Sequence, residues 1–133
     1  MIPANRTELT IDGLSAVLFS DPLPNGGPLP AEIVVGPGGA SQTLLRLTPR
    51  NHVRTVWDLG CGCGVQAVFA AQHSDRVIAT DIDPRSIEFT SHSADASGVT
   101  VETRLGSLNQ PVAGETFDLI IANPPFVIGG VTN

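Results

Sequence analysis

No stretch of this chain approaches the roughly 18 consecutive apolar residues that a membrane-spanning helix needs, so no membrane partner is expected. The first residues, Met1 to Thr10, are polar and carry Glu8; they do not read as a signal peptide, and the expected compartment is the cytoplasm. Lysine is absent. All 7 basic residues are arginines, against 13 acids, for a net charge of −6. Most of the acids lie between Arg54 and Asn123. An acidic face repels phosphate backbones, which makes this portion a poor nonspecific binder of nucleic acid and favours a protein or small-molecule acceptor. Cysteine is scarce too. Cys61 and Cys63 have one glycine between them, a gap that strains a disulfide, and a zinc site needs more ligands. They read as two small loop residues, and no metal is expected.

What is present suits a globular core. The apolar content is 41%, and 133 residues make one domain at most. Residues 8–19 read as a β-hairpin, with Asp12-Gly13 as the positive-φ turn between Leu9-Thr10-Ile11 and Leu14 to Phe19. Residues 21–30, rich in proline and glycine, read as a loop. A short strand is expected at Glu32 to Val35, then a sharp turn at Gly36 to Gly39. Ser41 is the expected N-cap of a short helix that Pro49 terminates.

Beyond Val53 the pattern alternates. Val53 to Leu59 reads as a strand, Val65 to Gln72 as a helix, and Val77 to Thr80 as a second strand. Asp83 and Pro84 open a helix that Gly98 stops. Val99 to Leu105 and Phe117 to Ala122 read as a third and fourth strand. Strands alternating with helices imply βαβ units and a doubly wound parallel sheet in an α/β fold. The sheet reads as truncated after its fourth strand, which points to a fragment or to a partner chain that supplies the missing C-terminal half.

Two loops carry chemistry. Asp58-Leu59-Gly60-Cys61-Gly62-Cys63-Gly64 follows a strand and opens a helix. Glycines let the backbone approach a ligand, and about 20 residues on, Asp81 ends the next strand, where an acid binds both ribose hydroxyls. The dinucleotide fingerprint G-x-G-x-x-G is not met, since Val65 stands where the third glycine belongs; this weakens the case for NAD. The second loop, Asn123-Pro124-Pro125-Phe126, follows the last strand at the end where open parallel sheets bind ligands. The Asn123 amide oxygen and the Pro124 carbonyl are acceptors for one –NH₂ group, and Phe126 offers a face to a flat π system. His52, His73 and His92 are isolated and read as solvated surface residues. Gly36 to Ser41 reads as an ordinary turn, with closure over a bound cofactor as the alternative.

Together these residues resemble the class I S-adenosylmethionine-dependent methyltransferases, and within them the small methyltransferase domain found in release-factor glutamine N5-methyltransferases and RNA guanine or adenine N-methyltransferases. The resemblance covers roughly residues 40–130. It implies a Rossmann-like fold, with S-adenosylmethionine as cofactor and residues 40–133 as the N-terminal part of the binding domain. Residues 1–39, the hairpin and Pro/Gly-rich loop, lie outside it. The implied cofactor contacts are Asp58, Gly60, Gly62 and Gly64 around the methionine portion, Asp81 at the ribose and Ser107 at the adenine, with Cys61, Ile82 and Asn123 also in the cofactor-binding set. The implied catalytic set is Asn123, Pro124, Pro125 and Phe126. The expected reaction is in-line methyl transfer to a conjugated nitrogen fixed by two acceptors. A release-factor glutamine is the first expected acceptor and an RNA or DNA base amine the second; a noncatalytic binding module is the competing reading.

Overall fold

The computed structural model describes residues 4–22, 33–107 and 109–122. The expected motif at Asn123 to Phe126 lies outside the described residues, as does most of the expected loop at 21–30. The chain opens with an antiparallel hairpin, β1 (Asn5–Ile11) and β2 (Leu14–Ser20). Its turn is the expected Asp12-Gly13, both at positive φ (53° and 80°). Helix α1 (Gly39–Leu47) follows. Then come β3 (Val53–Leu59), α2 (Val65–Ala70), β4 (Ser74–Asp81), α3 (Pro84–Ser97), β5 (Glu102–Leu105), a 3₁₀ turn at Gln110–Val112, and β6 (Leu119–Ala122).

The four later strands form one parallel sheet in the order β5-β4-β3-β6. The chain moves outward from β3 through β4 to β5, then returns to the other side of β3. The reversal lies between β3 and β6, and ligands bind at the carboxyl ends of strands flanking such a reversal.

Alternation along β3 and β4 divides the core. Val56, Val77 and Ala79 pack with Ala67 and Ala70 of α2, while Trp57 and Ile78 pack with Val112 on the opposite face. Trp57 spends its indole N–H on the Thr80 hydroxyl at 3.0 Å. Every residue of α2 is buried, because the hairpin and α3 enclose it from the side away from the sheet. Leu18, Val68, Phe69 and Phe89 form that second core. The hairpin therefore shares a core with the helices.

Serines of α3 fix the hairpin edge. Ser97 Oγ accepts the Val17 N–H (2.9 Å) and donates to the Val17 carbonyl (3.0 Å), and Ser93 Oγ accepts the Phe19 N–H (2.9 Å). The match is geometric. Residues i and i+4 on a helix rise about 6 Å, and residues i and i+2 on a strand about 6.8 Å. Two hydroxyls one helical turn apart thus meet alternate residues of a strand.

Several boundaries differ from expectation. Residues 33–35 form no strand, since the Val34 carbonyl pairs with a single residue, Asp21. The N-cap of α1 is Gly38, without a side-chain bond, and Ser41 lies inside the helix. Helix α2 stops at Ala70 because Gln72 and His73 bond carbonyls only three residues back. β4 begins earlier than expected, at Ser74, and β5 and β6 are shorter, at four residues each. The expected Asp83 cap and Gly98 stop of α3 are both present: Asp83 Oδ1 accepts the Arg85 N–H at 2.9 Å, and Gly98 has φ 71°.

Candidate functional site

At the carboxyl ends of β3 and β4 the glycine loop borders a cavity of about 290 Å³. The N–H groups of Gly60 and Cys61 both reach the Thr80 carbonyl, at 2.9 and 3.0 Å, so the loop folds back over the end of β4. Gly60, Gly62 and Gly64 hold φ of 75°, 54° and 89°, a region that L side chains rarely adopt. That is why the chain carries a glycine at each.

Asp81 stands beside this loop. One carboxylate oxygen accepts the Gly62 N–H and the other the Asp83 N–H, each at 3.0 Å. An ionised carboxylate has about four acceptor positions, so two remain for a ligand diol. Ile82, next in sequence, lines the cavity with 71% of its surface exposed and so offers an apolar face at the rim.

Asp58 is buried in β3, with 1% exposure. Its Oδ2 accepts the Ala67 N–H at 3.1 Å, and its Oδ1 has no hydrogen-bond partner among the described residues. Burial pushes the carboxyl up to about 7; the Ala67 N–H acts against that rise and the charge of Asp81 adds to it. Burial also raises the two thiols, Cys63 to about 11 and Cys61 further still, so neither is a nucleophile at neutral pH. Among the described residues no cluster of His, Cys, Asp and Glu is placed to hold a metal ion.

Of the expected cofactor contacts, the cavity brings together Asp58, Gly60, Cys61, Gly62, Asp81 and Ile82. Gly64 is not on its lining and faces the other way, against Thr90. Ser107 is exposed and also off the lining, although the N–H of its neighbour Gly106 reaches the Asp81 carbonyl at 2.9 Å. Asn123 to Phe126 continue directly from β6, whose last residue, Ala122, pairs with Leu59.

Sequence reading missed Ile33 to Val35, Cys63, Val65, Gln66 and Ser86, which also line the cavity. Gln66 carried a signal, being the one polar residue of a helix otherwise apolar throughout. Its amide donates to the Ser41 carbonyl at 2.9 Å, while Oε1 is buried without a partner among the described residues. His73 is a correction. It is buried rather than solvated, and burial holds its imidazole below the ordinary value.

A parallel α/β sheet with a glycine loop and an acid at the next strand end defines a Rossmann-like cofactor-binding domain. The chain belongs to the Methyltransferase small domain family, whose family model matches residues 37–133. It is 36% identical over 97 residues to ribosomal RNA small subunit methyltransferase C of Escherichia coli K12, and equally so to its Shigella flexneri counterpart. The match covers 71% of this chain and 28% of those proteins, so the chain spans under a third of the relatives' length. Among solved structures it is similar to a 16S rRNA N2 methyltransferase of T. thermophilus, in complex with AdoMet and guanosine. The TM-score is 0.69 at 24% identity, over 96% of this chain and 34% of that one, a likeness of fold. A ribosomal protein L11 methylase from Lactobacillus delbrueckii is 30% identical with a TM-score of 0.53, over 61% of this chain and 42% of that one.

Proposed function

We propose that this chain is the cofactor-binding portion of an S-adenosylmethionine-dependent N-methyltransferase that acts on a base amine of ribosomal RNA, guanine first. The observation that carries the cofactor is the charge of the cavity. Asp58, Asp81 and Asp83 line it, and among the described residues no basic side chain does. Such acids disfavour the pyrophosphate of a dinucleotide and favour a ligand that bears positive charge, the buried Asp58 by giving up its proton when that charge arrives. The buried acceptors without partners among the described residues, Asp58 Oδ1 and Gln66 Oε1, are costly unless a donor reaches them, and a ligand ammonium is such a donor. Asp81 is preset for a ribose diol and Ile82 for the face of a base. The residues present therefore fit S-adenosylmethionine.

When bound, the cofactor supplies a methyl group made electrophilic by its sulfonium. The chain's own residues do the rest. The glycine loop and Asp81 orient the cofactor, and Asn123 and Pro124 accept the two hydrogens of the acceptor amine. Phe126 stacks on the base. This is positioning plus support of developing charge, with no covalent enzyme intermediate.

The RNA acceptor rests on the relatives, which are named for ribosomal RNA. The release-factor glutamine finds no counterpart among them, although the net charge of −6 favours a protein acceptor. The test uses tritiated S-adenosylmethionine with small-subunit ribosomal RNA and, separately, a release factor. Label recovered as methylguanosine supports the proposal. Label recovered on glutamine overturns the RNA acceptor. Saturable cofactor binding with no label in either supports a binding portion that needs the remainder of a longer protein.

A further inference from the structure

We propose that the N-terminal hairpin is a working part of this cavity, with Asp21 as the positioning residue that joins its two walls. The proposal rests on the reading of the cavity as a cofactor site. Asp21 lies outside the family match, which begins at residue 37. One part of the cavity wall is Ile33 to Gly36; another is Asp83 and Ser86 at the head of α3.

Asp21 bonds to both. Its N–H donates to the Val34 carbonyl at 2.8 Å, and its Oδ2 accepts the Val34 N–H at 2.9 Å. Both backbone groups of a wall residue are thus held by one side of Asp21. The other carboxylate oxygen, Oδ1, pairs with the Arg85 guanidinium, in the first turn of α3 and beside Ser86. The Asp21 side chain is only 14% exposed, while Arg85 is 47% exposed, so the carboxylate is the shielded half of this pair. Arg85 is itself seated 5.6 Å over the Phe89 ring, a core residue. At the wall's far end Gly36 lies so close to β2 that an added Cβ would stand 3.1 Å from Ser20 Oγ. The wall rests on the end of the hairpin, and serines fix the hairpin to α3. Loss of the Asp21 carboxylate therefore frees the Val34 N–H and Arg85 together, while the backbone bond from the Asp21 N–H to the Val34 carbonyl and the sheet's own bonds remain.

The experiment measures S-adenosylhomocysteine affinity by calorimetry, well below the unfolding midpoint, and amide exchange of the ligand-free chain. Asp21→Ala should weaken binding about tenfold, the loss expected of one well-placed buried hydrogen bond. Asp21→Asn keeps an oxygen for the Val34 N–H and should recover affinity to within about threefold. Gly98→Ala strains a turn away from the cavity; it should lower stability and leave affinity unchanged, which separates positioning from mere structure. Arg85→Gln is the second variant should Asp21→Ala fail to fold, and it should weaken binding about threefold. Binding by the parent chain with no loss in Asp21→Ala or Arg85→Gln overturns the proposal and leaves the cofactor reading intact. No binding by the parent chain sinks the cofactor reading, and exchange then decides. Faster exchange at both Val34 and Ile87, with Val56 and Ile78 unchanged, supports the joined walls; faster exchange at Val34 alone overturns them.

Discussion

Asp81 accepts the Gly62 N–H across nineteen residues of sequence, at 3.0 Å, and by that bond the end of β4 holds the loop that follows β3. The same carboxylate also bonds the Asp83 N–H, which starts the cap of α3. One acid thus sets the loop, the helix entry and the acceptor positions left for a ligand. Asp81→Ala should therefore fail twice. Stability should fall by about 1–2 kcal/mol for the lost bonds to backbone N–H groups. Affinity for S-adenosylhomocysteine should fall about a hundredfold or more, since two hydroxyl bonds to a charged acceptor are lost. Thermal melting and calorimetry read the two effects separately, and affinity within threefold of the parent would sink the assigned role.

Three glycines should rank by what surrounds them. Gly98 has φ 71° and open space around its missing Cβ, so Gly98→Ala should cost only backbone strain, about 1 kcal/mol. Gly64 has φ 89°, and an added Cβ would stand 3.1 Å from the Thr90 Cα, a backbone atom that cannot swing away. Gly64→Ala should cost about 2–3 kcal/mol, strain and crowding together. At Gly106 an added Cβ would meet the Pro111 ring at 2.4 Å; the ring must move, at about 1–3 kcal/mol, and the 3₁₀ turn with it. Urea unfolding of the three variants checks the order, and a Gly98→Ala cost equal to that of Gly64→Ala would show that the Thr90 contact is immaterial.

What the sequence shows and what it hides follow from range. The Asp12-Gly13 turn, the Asp83-Pro84 entry and the Gly98 stop were legible because each is local chemistry over two or three residues. Asp81 was legible because a βαβ unit fixes the distance from a glycine loop to the next strand end. The strand expected at 32–35 is absent over residues 33–35 for the opposite reason: the N–H and carbonyl of Val34 are taken by the carboxylate and N–H of one residue, Asp21, and not by a neighbouring strand. The start of α1 was misplaced because Gly38 caps it with no side chain to signal the fact. His73 looked like a surface histidine, and only the packing of the turn after α2 buries it. The wall at Ile33 to Val35 was invisible because tertiary contacts bring it to the cavity, and no local rule says which way Ser107, beyond a strand end, will face.

Asn123 should divide binding from transfer. In sequence it comes next after Ala122, the last residue of β6, which pairs with Leu59 just before the glycine loop. If its amide oxygen accepts from the methyl acceptor's amine, Asn123→Ala should abolish transfer and spare cofactor affinity. In kinetic terms kcat should collapse, with S-adenosylmethionine binding held within a few-fold. Near-normal turnover in the variant would remove Asn123 from the reaction.

The buried acid of β3 should leave its mark on stability as pH rises. The Asp58 carboxyl is raised from 3.8 to about 7 by burial, so its folded-state value lies above its unfolded one. The unfolded chain gives up this proton first. Stability from the protonated group is therefore fully present below about pH 4 and is lost as pH climbs through about 7. A shift of that size corresponds to order 4 kcal/mol across the window, at about 1.36 kcal/mol per unit. His73 acts with the opposite slope. Its folded-state value is depressed by burial, so its contribution is present above the unfolded value near 6.5 and is lost as pH falls. Asp58→Asn retains an oxygen for the Ala67 N–H and has nothing to titrate. The difference in unfolding free energy between parent and variant should change in the variant's favour from pH 5 to about pH 7 and level off above it. A constant difference across that range would mean that Asp58 is charged throughout, with its Oδ1 satisfied by a donor. A cationic ligand would act in the same direction: by favouring the ionised acid it should release protons on binding near pH 7, read as a dependence of the calorimetric heat on the buffer's ionisation enthalpy that Asp58→Asn abolishes.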